Sequence, residues 1–205
     1  VRTILHAGIG GSDLGPRLVA DALDPGDSAV DVEWLATQDA RRIRRLLDRL
    51  DPETTALVVA SKSFSTSETL TQAALIRDWL GSDGAERIWG ATVNIDRARA
   101  FGIVEPNILP FPAWTGGRFS LWSSVGFSAA ARIGPAQWQR MLAGAEQADT
   151  LLAGNLGASP AYAMARVLDW LVRGVGLDTM GVVSYDPALR LLAEYLQQLV
   201  MESLG

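Results

Sequence analysis

Thr55-Ala56-Leu57-Val58-Val59-Ala60-Ser61-Lys62-Ser63-Phe64-Ser65-Thr66-Ser67-Glu68-Thr69 holds the change of periodicity that decides the fold. Thr55 to Ala60 is a short, β-branched apolar run, the pattern of a strand buried on both faces. From Glu68 to Leu80 the pattern becomes amphipathic and helical, so the hydroxyl-rich segment between them is a strand-to-helix turn. Amides at a helix start point outward and carry partial positive charge. With the hydroxyls of Ser61, Ser63, Thr66 and Thr69 they can form a small anion cradle, suited to a phosphomonoester. The same residues also suit a plain polar loop in which Thr66 or Ser67 caps the helix. This stretch alone does not choose between the two.

Working outward, the alternation repeats. Thr3 to Ala7 reads as a strand, followed by Gly8-Ile9-Gly10-Gly11-Ser12-Asp13-Leu14-Gly15-Pro16 and a helix to Leu23, capped by Ser12 or Asp13. The glycines let backbone approach a ligand closely. Their spacing is not the dinucleotide fingerprint, and no P-loop lysine follows. Asp31 to Ala36 is a second strand and Ala40 to Leu50 a helix with arginines on its outer face. Arg87 to Val93 and Ile108 to Phe111 are further strands, separated by a short helix over Ile95 to Phe101. Strands alternating with helices imply an α/β fold, a parallel sheet flanked by helices. Ligands in such sheets bind outside the carboxyl ends of the strands, where both turns lie.

Downstream, Gly116-Gly117-Arg118 precedes a helical stretch. A guanidinium at a helix start opposes the dipole, which points to an anion or a developing oxyanion as its partner; a surface arginine backed by packed aromatics is the plainer alternative. Pro135 to Ala153 and Pro160 to Val172 read as helices, Thr179 to Tyr185 as a sixth strand and Leu189 to Glu202 as a helix. The strand at the very start, with no initiator methionine, and the helix at the very end lead us to expect a piece of a longer protein.

Composition narrows the function classes. A net charge of −5 argues against a nucleic-acid surface, and a hydrophobic fraction of 48% supports a sizeable core. Lys62 is the only lysine and His6 the only histidine, and cysteine is absent. That removes thiol chemistry and the usual zinc and iron–sulfur sites, so no metal site is expected. No stretch has the length of a membrane-spanning helix. His6, within the first strand, is expected to pack.

Four segments, in this order, carry a resemblance: Gly8 to Pro16, Ser61 to Thr69, Gly116-Gly117-Arg118-Phe119-Ser120-Leu121-Trp122-Ser123, and Gln197-Gln198-Leu199-Val200-Met201-Glu202-Ser203. Order and spacing resemble the glucose-6-phosphate isomerase (phosphoglucose isomerase) family, over essentially the whole chain but only the middle of that enzyme. The resemblance implies two sugar-isomerase (SIS) domains: a first over 1–153, a connecting helix over 154–176, and the opening βα unit of a second over 177–205. It implies a sugar-phosphate substrate, no cofactor, and a cytoplasmic homodimer that interconverts glucose 6-phosphate and fructose 6-phosphate in glycolysis and gluconeogenesis.

By motif, Ser61, Ser63, Thr66 and Thr69, with the Lys62 backbone, match the phosphate-binding turn. Gly11 and Ser12 match a glycine-serine pair near the substrate, and Gln198 a glutamine near the sugar. Arg118 matches the arginine that stabilises the enediolate, and Glu202 the glutamate that moves the proton between C2 and C1. One carboxylate can serve as base and then as acid in such a transfer, and a fixed cation lowers the barrier to the charged intermediate. The chain departs from the family pattern at Ala113, Thr115 and Leu204. The family's ring-opening histidine and a C-terminal lysine lie beyond Gly205, so residues 1–205 alone are expected to be inactive. A non-catalytic sugar-phosphate binding or regulatory module of SIS type is the alternative, which would bind without turnover.

Overall fold

In the computed structural model, which describes residues 1–36, 39–177 and 179–204, the apolar runs become five parallel strands. They are β1 (Thr3–Ala7), β2 (Asp31–Leu35), β3 (Thr55–Ala60), β4 (Ile88–Thr92) and β5 (Ile108–Pro110). The spatial order is β2-β1-β3-β4-β5, with every neighbouring pair parallel. From β1 the chain first moves to one side, to β2, and then crosses back to β3 on the other. The strand order therefore reverses between β1 and β3, and a crevice opens at their carboxyl ends, the usual ligand position in an open α/β sheet.

The strand at the centre explains why the sheet needs two helical layers. All six residues of β3 are buried. Leu57 and Val59 face a core built with Ile43, Leu46 and Leu47 of α2 (Ala40–Leu47) and Ala73, Ile76 and Leu80 of α3 (Ser67–Leu80). Ala56 and Val58 face the opposite side, beneath Phe127 and Ala131 of α5 (Phe127–Ile133). The same side carries α1 (Leu14–Ala22), whose Val19 and Ala20 pack with Ala129 and Ile133. Each fully buried valine or leucine contributes about 1.5–3 kcal/mol. A two-faced apolar strand is stable only when both faces are covered.

The short α4 (Ile95–Phe101) joins β4 to β5. It is capped by Asn94 Oδ1, which accepts from Arg97 N, and closed by Gly102 at φ +104, a conformation that suits glycine. Beyond the sheet, α6 (Pro135–Gly154) and α7 (Pro160–Asp169) follow, the latter continuing as a π-helical turn over Trp170–Val175. Last comes α8 (Leu192–Leu204). It is preceded by the buried Leu191 and packs through the half-buried Tyr195 against the α1 and α5 core.

Most expected elements form, with ends displaced by one to three residues. One does not: residues 179–185 carry no strand. Met180, Val183 and Tyr185 stand exposed there, because a lone strand is stabilised only by a sheet edge that pairs with it, and none of the described strands adjoins it. The domain expected over 177–205 also includes Asp178 and Gly205, which lie outside the described residues. The helix caps differ as well. Asp13 occupies the cap position of α1 in a helical conformation and makes no side-chain cap bond; its carboxylate turns to Arg17 instead. Thr66 occupies the cap position of α3, but its hydroxyl pairs with Ser61 Oγ at 3.2 Å and leaves the helix amides uncapped.

Candidate active site

The Ser61–Thr69 turn leaves the carboxyl end of β3 and immediately folds back on β4. Ser61 N donates to Ala91 O, and Val93 N donates to Lys62 O. Thr92 Oγ1 also donates to Lys62 O, at 3.0 Å. At the tip, Phe64 adopts φ +48, a left-handed conformation rare for an aromatic residue. Its burial against Phe101 holds it there. This inward phenylalanine turns the flanking serines outward, where Ser63 Oγ and Ser65 Oγ lie 2.7 Å apart.

Above this turn lies an open cavity of about 740 Å³, lined by Ser12, Ser61, Lys62, Ser63, Thr66 and Thr69 together with residues 93–96 and Arg99. Five of the residues singled out in the hydroxyl turn thus share one wall, and Ser12 joins them from the turn that follows β1. Thr69 is buried, and its Oγ1 has no hydrogen-bond partner among the described residues. A buried hydroxyl left unpaired costs about 1–3 kcal/mol, which an anion in the cavity would recover. The opposite wall, formed by the β4–α4 connection, is absent from the sequence reading. Its position at the carboxyl end of a parallel strand was the available signal. Arg99 on that wall is engaged by Asp96 and Glu105, so its charge is largely spoken for.

A second group assembles beside the first. Arg118 lies in a 3-10 turn over Gly117–Trp122, with its guanidinium over the Phe119 ring. Its Nη1 is 3.6 Å from Glu202 Oε2, and its Nε donates to Ser203 Oγ at 2.9 Å. Gln198, one helical turn before Glu202, donates from Nε2 to Glu202 Oε1 at 2.9 Å. The carboxylate is therefore gripped from two directions while its side chain remains 46% exposed, accessible to a substrate. Arg118, Gln198 and Glu202 do not line the large cavity.

The Gly10–Ser12 turn joins the two groups, and each of its residues has a separate task. Ser12 lines the cavity. A Cβ at Gly11 would lie 2.7 Å from Arg118 N and nearer still to the Gly117 carbonyl, so only glycine lets the two turns meet. Ser120 Oγ donates to Gly11 O across this contact at 3.2 Å. A Cβ at Gly10 would lie 3.1 Å from Gln198 Nε2. Gly11 therefore acts as a packing position between turns.

Two buried titratable groups support the glycine turn from below. His6 Nε2 donates to Ser12 O at 2.7 Å, which leaves Nδ1 to accept from Ser128 Oγ at 2.8 Å. Burial lowers its pKa to about 4, against the opposing bond to Ser12, so the ring is neutral at physiological pH. It packs within β1 as expected, against Trp34. Asp13 is 2% exposed and its pKa is pushed up to about 6 by burial, with Arg17 opposing and Glu194 adding to the rise. Arg17 lies 3.1 Å from Asp13 and 4.0 Å from Glu194 on α8. A second ion pair joins Arg190, in the turn just before α8, to Asp21 of α1. These contacts fix the helix that carries Gln198 and Glu202. Among the described residues, no cluster of three or more histidine, cysteine or acidic side chains could hold a metal ion, and no helix is long and apolar enough to cross a membrane.

Comparison with known proteins places this geometry in context. The family model for phosphoglucose isomerase matches residues 1–205. A glucose-6-phosphate isomerase of Xylella fastidiosa (strain 9a5c) is 45% identical over 208 residues, covering 100% of this chain and 41% of the relative. One from Stenotrophomonas maltophilia (strain R551-3) is 44% identical with the same coverage. The chain thus spans about two fifths of the length of these curated relatives. Among solved structures, a hypothetical protein from Thermus thermophilus superposes with a TM-score of 0.88 at 32% identity, over 100% of this chain and 49% of that one. A glucose-6-phosphate isomerase from Chlamydia trachomatis superposes with a TM-score of 0.83 at 28% identity, over 98% of this chain and 40% of that one.

Proposed function

The chain belongs to the phosphoglucose isomerase family, and on that premise we propose that it supplies the phosphate anchor and the proton-transfer group of an enzyme interconverting glucose 6-phosphate and fructose 6-phosphate. The observation that carries this reading is the convergence of Arg118 and Gln198 on the Glu202 carboxylate, beside a hydroxyl-lined cavity at the strand-order reversal. The phosphoryl group sits against Ser61, Ser63, Thr66 and Thr69 and the Lys62 backbone. The sugar then extends past Gly11 and Ser12 towards Gln198. Phosphate binding holds the reacting carbons in place without taking part in the chemistry. Glu202 removes the proton from C2 and returns it to C1. Arg118 stabilises the negative charge that collects on the enediolate oxygens. No metal or organic cofactor enters these steps.

The domain assignment belongs to the same proposal: residues 1–153 form the first SIS domain, 154–176 connect, and 177–205 open a second. The working enzyme is a cytoplasmic homodimer acting in glycolysis and gluconeogenesis, and residues 1–205 by themselves do not turn over substrate. The test is Glu202→Gln in the full-length protein, followed by exchange of the C2 proton of glucose 6-phosphate with solvent. The substitution is expected to abolish exchange while binding persists. Exchange at a near-normal rate overturns the assignment of Glu202 as the base.

A further inference from the structure

We propose that Thr92 is a positioning residue for the anion cradle: it fixes the Lys62–Ser63 peptide so that the Ser63 amide is presented to a phosphoryl group. This rests on the phosphate reading of the Ser61–Thr69 turn. Thr92 ends β4, is fully buried and does not itself line the cavity. Its Oγ1 donates to Lys62 O at 3.0 Å and accepts from Asn94 N at 3.0 Å. Lys62 O also accepts from Val93 N, so two donors from one short segment converge on a single carbonyl.

A trans peptide is planar, with its C=O and N–H pointing in opposite directions. Two donors on the Lys62 carbonyl therefore set the direction of the Ser63 N–H. The neighbouring carbonyls are turned away by other partners: Ser61 O accepts from Phe64 N, and Ser63 O accepts from Arg97 Nη1 at 3.4 Å. A row of engaged carbonyls keeps negative partial charge out of the cradle and leaves it donor-rich, as anion binding requires. Within this bracing set Thr92 contributes through a buried hydroxyl, so a single isosteric change removes it. Such a change leaves Val93 N on Lys62 O, so the carbonyl is not orphaned, and it releases Asn94 N, on a half-buried residue that water can reach, so the fold survives.

The experiment follows the Ser63 amide of the ¹⁵N-labelled chain during titration with glucose 6-phosphate and, separately, inorganic phosphate. Wild type and Thr92→Ser, which keeps the hydroxyl, are expected to show a saturating shift with the same Kd. Thr92→Val is expected to raise Kd for both ligands about tenfold, the size of one lost restraint on a charge-assisted contact. Thr92→Ala deletes the same hydroxyl without placing a methyl against Asn94 and must shift Kd the same way, which separates positioning from any packing fault of valine. Wild-type Kd values in both deletion variants overturn the role of Thr92 and leave the phosphate site standing. No binding by wild type overturns the phosphate site and this inference together.

Discussion

Arg118 Nη1 stands 3.6 Å from Glu202 Oε2, while its Nε is held 2.9 Å from Ser203 Oγ. The guanidinium is thus pinned at one edge and offers the rest of its fork to whatever occupies the space beside the carboxylate. If that occupant is an enediolate, the arginine acts mainly in the transition state. Arg118→Ala in the full-length enzyme should then lower kcat about 100- to 1,000-fold, with KM within a few-fold of wild type. Arg118→Lys should recover little, since a lysine cannot hold Ser203 and an oxyanion at once. Steady-state kinetics with glucose 6-phosphate decide; a change confined to KM would make Arg118 a binding residue only.

Thr69 offers a test in which stability and binding move in different directions. Its hydroxyl is buried and unpaired among the described residues, at the wall of the cavity. Thr69→Val removes a polar group whose burial is uncompensated, so stability in urea should stay level or rise by up to about 1 kcal/mol. Affinity for glucose 6-phosphate should fall about tenfold, as the ligand loses a donor. Equal loss of stability and affinity would mean that the hydroxyl serves the fold instead.

How much of this was legible in the sequence depends on the range of the interaction. The strand at Thr55–Ala60 was readable because burial on both faces leaves a purely local trace, a short run of apolar and β-branched residues with no charge in it. The hydroxyl turn was readable because it lies between two periodicities. The strand expected over 179–185 failed for the complementary reason: β-branched and apolar residues state a preference, but a ladder needs a neighbour, and Val183 and Tyr185 have none among the described strands. The bond from Thr92 to Lys62 and the contact between Arg17 and Glu194 were invisible because each joins segments that only the fold brings together. Arg118, Gln198 and Glu202 would have been ordinary surface residues without the resemblance of their motifs.

Acid titration should expose two opposing buried groups. Burial depresses His6 to about 4 from 6.5, so the folded state binds fewer protons than the unfolded chain. The stability associated with neutral His6 is present above pH 6.5 and is lost as pH falls towards 4. Asp13 is raised to about 6 from 3.8. Its folded state binds more protons, so its contribution is largest below pH 3.8 and is lost as pH rises through 6. Each amounts to roughly 3 kcal/mol at about 1.4 kcal/mol per pKa unit, and in wild type they largely cancel between pH 4 and 6. Asp13→Asn should therefore lose about 3 kcal/mol on going from pH 6.5 to 4, and His6→Gln should gain a similar amount. Urea unfolding across that range measures both slopes; parallel profiles for the two variants and wild type would refute the assignment.

Gly11 is where the two halves of the site are most tightly coupled. The Gly10–Ser12 turn and the Gly117–Trp122 turn approach so closely that a side chain at Gly11 would meet the Gly117 carbonyl and Arg118 N, both backbone atoms without a rotamer to yield. Gly11→Ala must separate the turns, at a cost of about 3 kcal/mol in urea unfolding. The separation would carry Arg118 away from Glu202 while leaving the hydroxyl turn on β3 in place. The variant should still bind inorganic phosphate with nearly wild-type affinity, while in the full-length enzyme its kcat falls at least as far as that of Arg118→Ala. Loss of phosphate binding with retained turnover would instead make Gly11 a direct ligand contact and not a spacer between the two turns.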